Sequence, residues 1–335
     1  MLGLCVHPSF AWVERVYSNG AYARWEPIAA AIANPVPWSL GDFAVLVGAA
    51  VIAWRIVVRV REARRERPWR ALGFALFDIV AILALYAVWF EASWGWNYDR
   101  APIEMRLRYE ASRIDPAALA ALRARTIAQM NALAPAAHAR ANEPLDLDAL
   151  RAAWLPAVQR GGDDWTPRTD PPKPTLADPL MDANGTSGFV NPLTLTVQLA
   201  SDLLWFERPF DLAHEWSHDA AYAREDEANY LAVVTCLRSR DPVVRYSGEL
   251  ELLLSLPPLR SYPRKTFAPL VWGDFLAIRA RDASRINLAF AHWSWGTYNV
   301  YLKSNRIASG IANYGEVTRL MLAIPIDREG LPEAR

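Results

Sequence analysis

Residues 71–90 run for twenty positions with Asp78 as the single charged group. A helix of that length spans the roughly 30 Å hydrocarbon core of a bilayer, and soluble helices seldom stay apolar on every face for so long. The stretch therefore reads as a membrane span, with Trp89, Trp94, Trp96 and Tyr98 as an interfacial aromatic belt at its end. Residues 40–60 form a weaker second span, in which Asp42 stands near the start and Arg55 and Arg59 near the end must snorkel. Arg55, Arg59, Arg61, Arg64, Arg65, Arg67 and Arg70 crowd the connection. Short arginine-rich loops stay in the cytoplasm, so both ends of the hairpin are expected to face outward. In a bacterial inner membrane this places the remainder of a multi-pass chain on the periplasmic, extracytoplasmic side. Asp78 is expected to pair with a basic residue of the neighbouring helix.

Residues 1–39 do not read as a signal peptide, because Glu14, Arg15, Arg24 and Glu26 interrupt any apolar run. An amphipathic extracytoplasmic segment is expected there. The 36 basic and 36 acidic residues cancel, so nothing points to a nucleic-acid partner. A lipid bilayer is the expected partner instead. Cys5 and Cys236 have no metal-type spacing and are not expected to pair; Cys236 falls in the apolar run 230–237 and reads as core.

The chemistry sits in residues 210–229, which hold an HExxH motif followed by a row of acids. On a helix His214 and His218 project from one face, one turn apart, and can grip one metal ion, with zinc the expected cofactor. Glu215, offset to the side, is the expected catalytic base toward water polarised by the metal. Glu225, Asp226 and Glu227 compete for the third ligand position. If a new helix begins near Arg224, Glu225 and Asn229 share a face at i and i+4, so Glu225 is chosen as ligand and Asn229 as a neighbour that steadies a ligand from behind. His292, Tyr298 and Tyr301 are candidate donors to an oxyanion.

The segment HEWSHDAAYAREDEANYLA resembles the signature of a family of bacterial integral membrane proteins of unknown function, whose pattern is approximately HExxHxxGxAREDEANFLA. More distantly, Glu225 to Asn229 is similar to the Glu-x-x-Ala-Asp/Asn element of gluzincin metallopeptidases, in which the first glutamate binds zinc. The likeness extends to residues 245–248, 301–305 and 314–315. Ala221, where the pattern has glycine, and Asp219, directly after the second histidine, depart from it. The resemblance implies a membrane-anchored, zincin-like protein. It also implies a further upstream apolar segment, of which Met1–Val6 reads as the last turn.

Elsewhere, residues 106–138 read as one or two helices with a start at Asp115-Pro116, and residues 161–179 as a Gly- and Pro-rich linker or surface loop. Residues 188–199 are the best strand candidate, either an edge for an extended substrate or a structural hairpin with no substrate role. Residues 243–256, 270–301 and 309–323 are helical by period, with breaks at Pro257-Pro258 and Pro263. The expected fold is mainly α. An N-terminal segment (1–39), a two-helix transmembrane region (40–98), a helical region (99–160) and a zincin-like domain with a small edge sheet (161–335) follow in order. The expected function is a zinc-dependent, peptidase-like hydrolase acting on a peptide or protein; a catalytically inactive, zinc-stabilised membrane scaffold is the alternative.

Overall fold

The computed structural model describes residues 8–65, 68–258, 264–304 and 316–335. Met1–Val6, Cys5, Pro263, Asn305, Tyr314 and Gly315 lie outside the described residues, as does the side chain of Tyr301.

The expected amphipathic N-terminal segment is the helix α1 (residues 10–33), made of Phe10–Trp12, a π-helical stretch Val13–Tyr22 and Ala23–Ala33. Where hydrogen bonds run from i to i+5, side chains five apart fall into line. The Tyr17 and Tyr22 rings accordingly lie 6.0 Å apart and share a small apolar cluster with Val13, Trp94 and Tyr98.

Helices α2 (Leu40–Arg65) and α3 (Pro68–Ser93) pack on each other, and both are long and apolar enough to cross a membrane. Protein covers almost none of their surface: Phe43, Trp54, Leu72, Phe77, Leu83 and Leu85 are all exposed. A continuous apolar surface of this kind calls for an apolar surrounding. Asp78 accepts from Arg55 at 2.7 Å and from Arg59 at 2.9 Å, the pairing expected of a lone acid in a span. The aromatic belt needs correcting. Trp89 is exposed, but Trp94 and Tyr98 are only 8% and 4% exposed and face the protein.

Next come α4 (Pro116–His138), α5 (Leu147–Arg160), α6 (Asp178–Asn184), the strands β1 (Gly188–Asn191) and β2 (Thr196–Leu199), α7 (Arg208–Asp219), α8 (Glu225–Arg238), α9 (Pro242–Ser255), α10 (Pro269–Arg285), α11 (Leu288–Ser304) and α12 (Val317–Ala323). Local chemistry sets several of these starts. Asp115 caps α4 by accepting the Ala117 and Ala118 N–H groups, Asp241 does the same for Val243 and Val244 of α9, and a proline follows each cap. One hydrophobic core joins Ile103 and Leu107 to Trp154, Trp216, Tyr230, Leu250 and Leu331, so residues 99–160 and 161–335 share it. Cys236 is buried in this core, as expected.

Three sequence readings take a different form. Residues 188–199 make a hairpin rather than one strand: Gly188 pairs with Leu199 and Asn191 with Thr196, antiparallel, and Pro192 falls in the turn. Residues 161–177 lack regular structure but are no free linker, since the Trp216 Nε1–H donates to the Asp170 carbonyl at 2.9 Å. The 270–301 stretch divides at Ile286-Asn287, where Asn287 Oδ1 accepts the Phe290 N–H at 3.1 Å and restarts the helix.

Candidate metal centre

Helix α7 is held on its apolar side by Leu212, Ala213 and Trp216, none of which is exposed. Ser217 reinforces this face by donating to the Ala213 carbonyl while accepting from Trp154 Nε1. His214 and His218 therefore emerge one turn apart on the opposite side, with ring centroids 4.5 Å apart.

The chain then reverses through a Schellman turn: the Tyr222 N–H bonds the Ser217 carbonyl at 3.0 Å and the Ala221 N–H the His218 carbonyl at 3.0 Å. Such a turn requires one left-handed residue. Ala221 supplies it, with φ +70°, at the position where the resembled signature carries glycine. The turn also delivers the Tyr222 carbonyl to His218 Nδ1 at 2.7 Å. A proton on Nδ1 donated to that carbonyl leaves Nε2 with a free lone pair, the tautomer a metal ligand needs.

Side chains from the N-terminal region satisfy the last carbonyls of α7. Trp94 Nε1 donates to His218, the Tyr22 hydroxyl to Asp219 at 2.8 Å and Arg100 to Ala220. Arg100 is itself buried and paired with Asp163 at 2.7 Å and Glu14 at 2.9 Å. Burial opposes its charge, but Asp163, Tyr222 and Glu14 hold its pKa well above the ordinary arginine value.

Helix α8 begins at Glu225, and its three acids complement the positive end of the helix dipole. They part company as the facing argument expects. Glu225 Oε2 lies 3.4 Å from the Nε2 atoms of both His214 and His218. Glu227 instead accepts from the Ile103 N–H and Arg106, each at 3.0 Å, and Asp226 lies among Arg224 and Arg319. One donor atom from each of His214, His218 and Glu225 falls within 4.8 Å of the others, so the trio can hold a metal ion. Burial opposes ionisation of Glu225, yet the histidines hold its pKa well below the carboxylate range. Burial lowers the His214 pKa, helped by His218, while Glu225 and then the Asn229 side chain act in the other direction. Burial would lower His218 too, but Glu225 outweighs it and raises that pKa to about 9.

These groups line a cleft of about 500 Å³. Glu215 lies in its wall, 3% exposed, and burial, with Glu225 and Asp211 nearby, pushes its carboxyl up to about 8. Facing it is β1, whose Gly188, Phe189 and Val190 line the cleft. A Cβ on Gly188 would meet Glu215 Oε1 at 2.7 Å, so only glycine brings the strand backbone this close. Among the described residues β1 pairs with β2 alone, which leaves its cleft-side edge open to another strand. The Tyr298 hydroxyl, expected as an oxyanion donor, lines the cleft and donates to Glu225 Oε1 at 2.8 Å. It thus orients the Glu225 carboxylate. His292 lies on the exposed face of α11 and does not line the cleft.

Sequence reasoning missed Phe90, Trp94 and Tyr98 as cleft residues, because an aromatic run at the end of a span looks the same whether lipid or protein covers it. It also missed Ser294 and Trp295 on the opposite wall, for which helical spacing with Tyr298 was the available signal. No curated protein and no solved structure matches the chain. A family model described as "Protein of unknown function (DUF3810)" matches residues 17–322, and the chain belongs to that family.

Proposed function

We propose that this protein is a membrane-anchored, zinc-dependent hydrolase of peptide bonds, gluzincin-like in its ligand set, whose cleft faces the extracytoplasmic side of a bacterial inner membrane. The observation that carries the reading is the convergence of His214, His218 and Glu225 on one point beside Glu215, in a cleft bordered by an open strand edge. Two imidazoles and a carboxylate suit zinc. Ligands about 2.0–2.1 Å from a tetrahedral ion sit roughly 3.4 Å from one another, the separation found between Glu225 Oε2 and each imidazole. Glu225 Oε2 is moreover buried between the two imidazole Nε2 atoms, so a cation held by all three would neutralise a carboxylate that protein otherwise encloses.

Bound there, zinc would act as a Lewis acid on the carbonyl and lower the pKa of water to about 7. The remaining tasks fall to the chain. Open N–H and C=O groups on β1 align an extended peptide by strand addition. Glu215 takes the proton of the attacking water and passes it to the leaving amine. Tyr298 holds the Glu225 carboxylate in place, and the Tyr222 carbonyl fixes the His218 tautomer. A purely structural metal site has no need of a cleft with a buried carboxyl and an open strand edge in its wall, which favours the enzyme over the scaffold.

Glu215→Gln tests the chemistry, because it keeps shape and ligands but removes the base. Extracytoplasmic peptides from cells carrying wild-type or Glu215→Gln protein are compared by mass spectrometry. At least one fragment should depend on Glu215, with turnover lowered on the order of 10²-fold or more. Indistinguishable profiles from two zinc-loaded proteins would sink the hydrolase reading.

A further inference from the structure

The strand that borders the cleft rests on the outer ends of both apolar helices. At its start, Gly188 lies against Glu215. At its end, a Cβ on Gly41, the second residue of α2, would collide with the Asn191 side chain, and Ser93, the last residue of α3, donates to the Pro192 carbonyl at 3.2 Å. Three residues of strand, about 10 Å at 3.3 Å each, thus separate the candidate base from the two helix ends.

The surroundings of the cleft match a lipid boundary. Leu176 is bonded to the start of α2 through its N–H to Asp42 at 2.7 Å, and Thr175 donates to the same carboxylate. Leu176 and Leu180 nevertheless expose 70% and 59% of their surface. Helix α6 leads on to α11, joined to it by the Asn287 N–H to the Ala183 carbonyl and by Trp295 Nε1 to the Asn184 carbonyl. One face of α11 supplies the cleft wall with Ser294, Trp295 and Tyr298, and Tyr298 packs in the same cluster as Phe90 and Trp94 at the end of α3. The other face shows Leu288, Trp293 and Val300, and no Asp, Glu, Lys or Arg interrupts residues 286–302. A surface helix bathed in water carries charges on its outer face; this one carries no Asp, Glu, Lys or Arg over that stretch, and its large apolar groups stand beside Asn287, His292 and Thr297, a mixture that suits a membrane interface. Exposed apolar groups thus recur on the hairpin, on α6 and on α11, elements tied to one another by the hydrogen bonds of Asp42, Ala183 and Asn184.

Resting on the hydrolase reading above, we propose that the cleft lies in the membrane interface and that its substrate is the juxtamembrane stretch of a membrane-anchored polypeptide. That polypeptide pairs with the open edge of β1, its anchored end beside Asn191 and its scissile bond opposite Gly188. Cleavage then falls within a few residues of the bilayer, and soluble or distant segments are poor substrates because β1 ends at the lipid.

Two measurements on the full-length, zinc-loaded chain in lipid nanodiscs test this. In a Cys5→Ser background, nitroxides on Trp293→Cys and Leu180→Cys report depth by collision with oxygen and a water-soluble nickel chelate. Both should read between a label on Leu83→Cys, inside a span, and free label in water. Labels reading as fully aqueous would overturn the placement whatever the chemistry. The second probe is a peptide pool of randomised sequence, thirty residues long, carried on a single transmembrane helix in the same nanodiscs. Mass spectrometry should map the cuts to about the first three to six residues from the bilayer, the reach set by β1, and Glu215→Gln should abolish them. Cuts spread evenly along the pool, or concentrated at its free end, would overturn the substrate assignment and leave the hydrolase reading standing. No cut anywhere, with zinc bound, would overturn the hydrolase reading and this assignment with it.

Discussion

Helices α3 and α7 meet through Trp94, yet they obey opposite rules. Of the residues of α3 only Ala71 and Ser93 are buried, and its one acid inside the apolar run is neutralised by two arginines of α2. In α7 ten of twelve residues are buried, among them Asp211, Glu215 and Asp219. An apolar helix that protein leaves uncovered reveals its solvent, whereas a buried helix that retains carboxylates reveals its chemistry. The boundary between them is bonded as well. Trp94, Tyr22 and Arg100, all from the region around the apolar hairpin, cap the terminal carbonyls of α7. The segments on either side of the hairpin thus position the helix that carries His214 and His218.

The most complete test of the contrast is topological. A reporter fused after Phe90 or at Arg335 should be extracytoplasmic and one inserted at Arg65 cytoplasmic, because the arginine cluster pins the connection. A C-terminal fusion active in the cytoplasm would break both the orientation and the proposed substrate compartment.

Within the metal region, adjacent acids should separate cleanly. Glu225→Ala should cost most of the bound zinc while the chain stays folded. Glu227→Ala should keep zinc in the folded fraction but lower stability by about 3–5 kcal/mol, since it strands Arg106 and the Ile103 N–H in the interior. Metal analysis and denaturant unfolding of both variants decide this. The reverse pattern would show that the wrong carboxylate has been assigned.

A smaller effect should appear away from the site, at Glu249 of α9. Burial, only partly countered by Arg125, Thr126 and Arg245, raises its carboxyl to about 7. The folded pKa lies above the unfolded value of 4.5, so the stability of the neutral form is present below pH 4.5 and lost as pH rises through about 7. Glu249→Gln should therefore stabilise the fold by about 3 kcal/mol at pH 8 and by little at pH 4. Equal effects at both pH values would contradict the burial argument. The smallest change is expected from Ala221→Gly. Relief of the left-handed strain, about 1–2 kcal/mol, is partly offset by loss of a buried methyl, about 0.8 kcal/mol. A slightly higher melting temperature with unchanged zinc content should result.

Much of this architecture is legible in the residues. The uncharged run 71–90, the cap at Asp115 and the four-residue spacing of His214 and His218 each express a local rule, and α3, α4 and α7 follow them. Helix periodicity turns Glu225, Asp226 and Glu227 to different faces, and the fold sets Glu225 beside the histidines. What stayed hidden depends on contacts distant in sequence. Trp94 and Tyr98 resemble interfacial aromatics until the Schellman turn is placed against them, and Tyr298 gains its role only when α11 crosses the cleft to reach Glu225. The division of 270–301 has no glycine or proline to mark it, and Asn287 is a weak signal by itself.

Metal content tests the central claim most directly. The full-length protein, purified in detergent without added metal and measured by inductively coupled plasma mass spectrometry, should carry about one zinc per chain, lost in His214→Ala and in His218→Ala because two remaining ligands do not retain the ion. Wild-type protein without stoichiometric metal, or histidine variants that keep it, would contradict the assignment of His214, His218 and Glu225 as a metal centre.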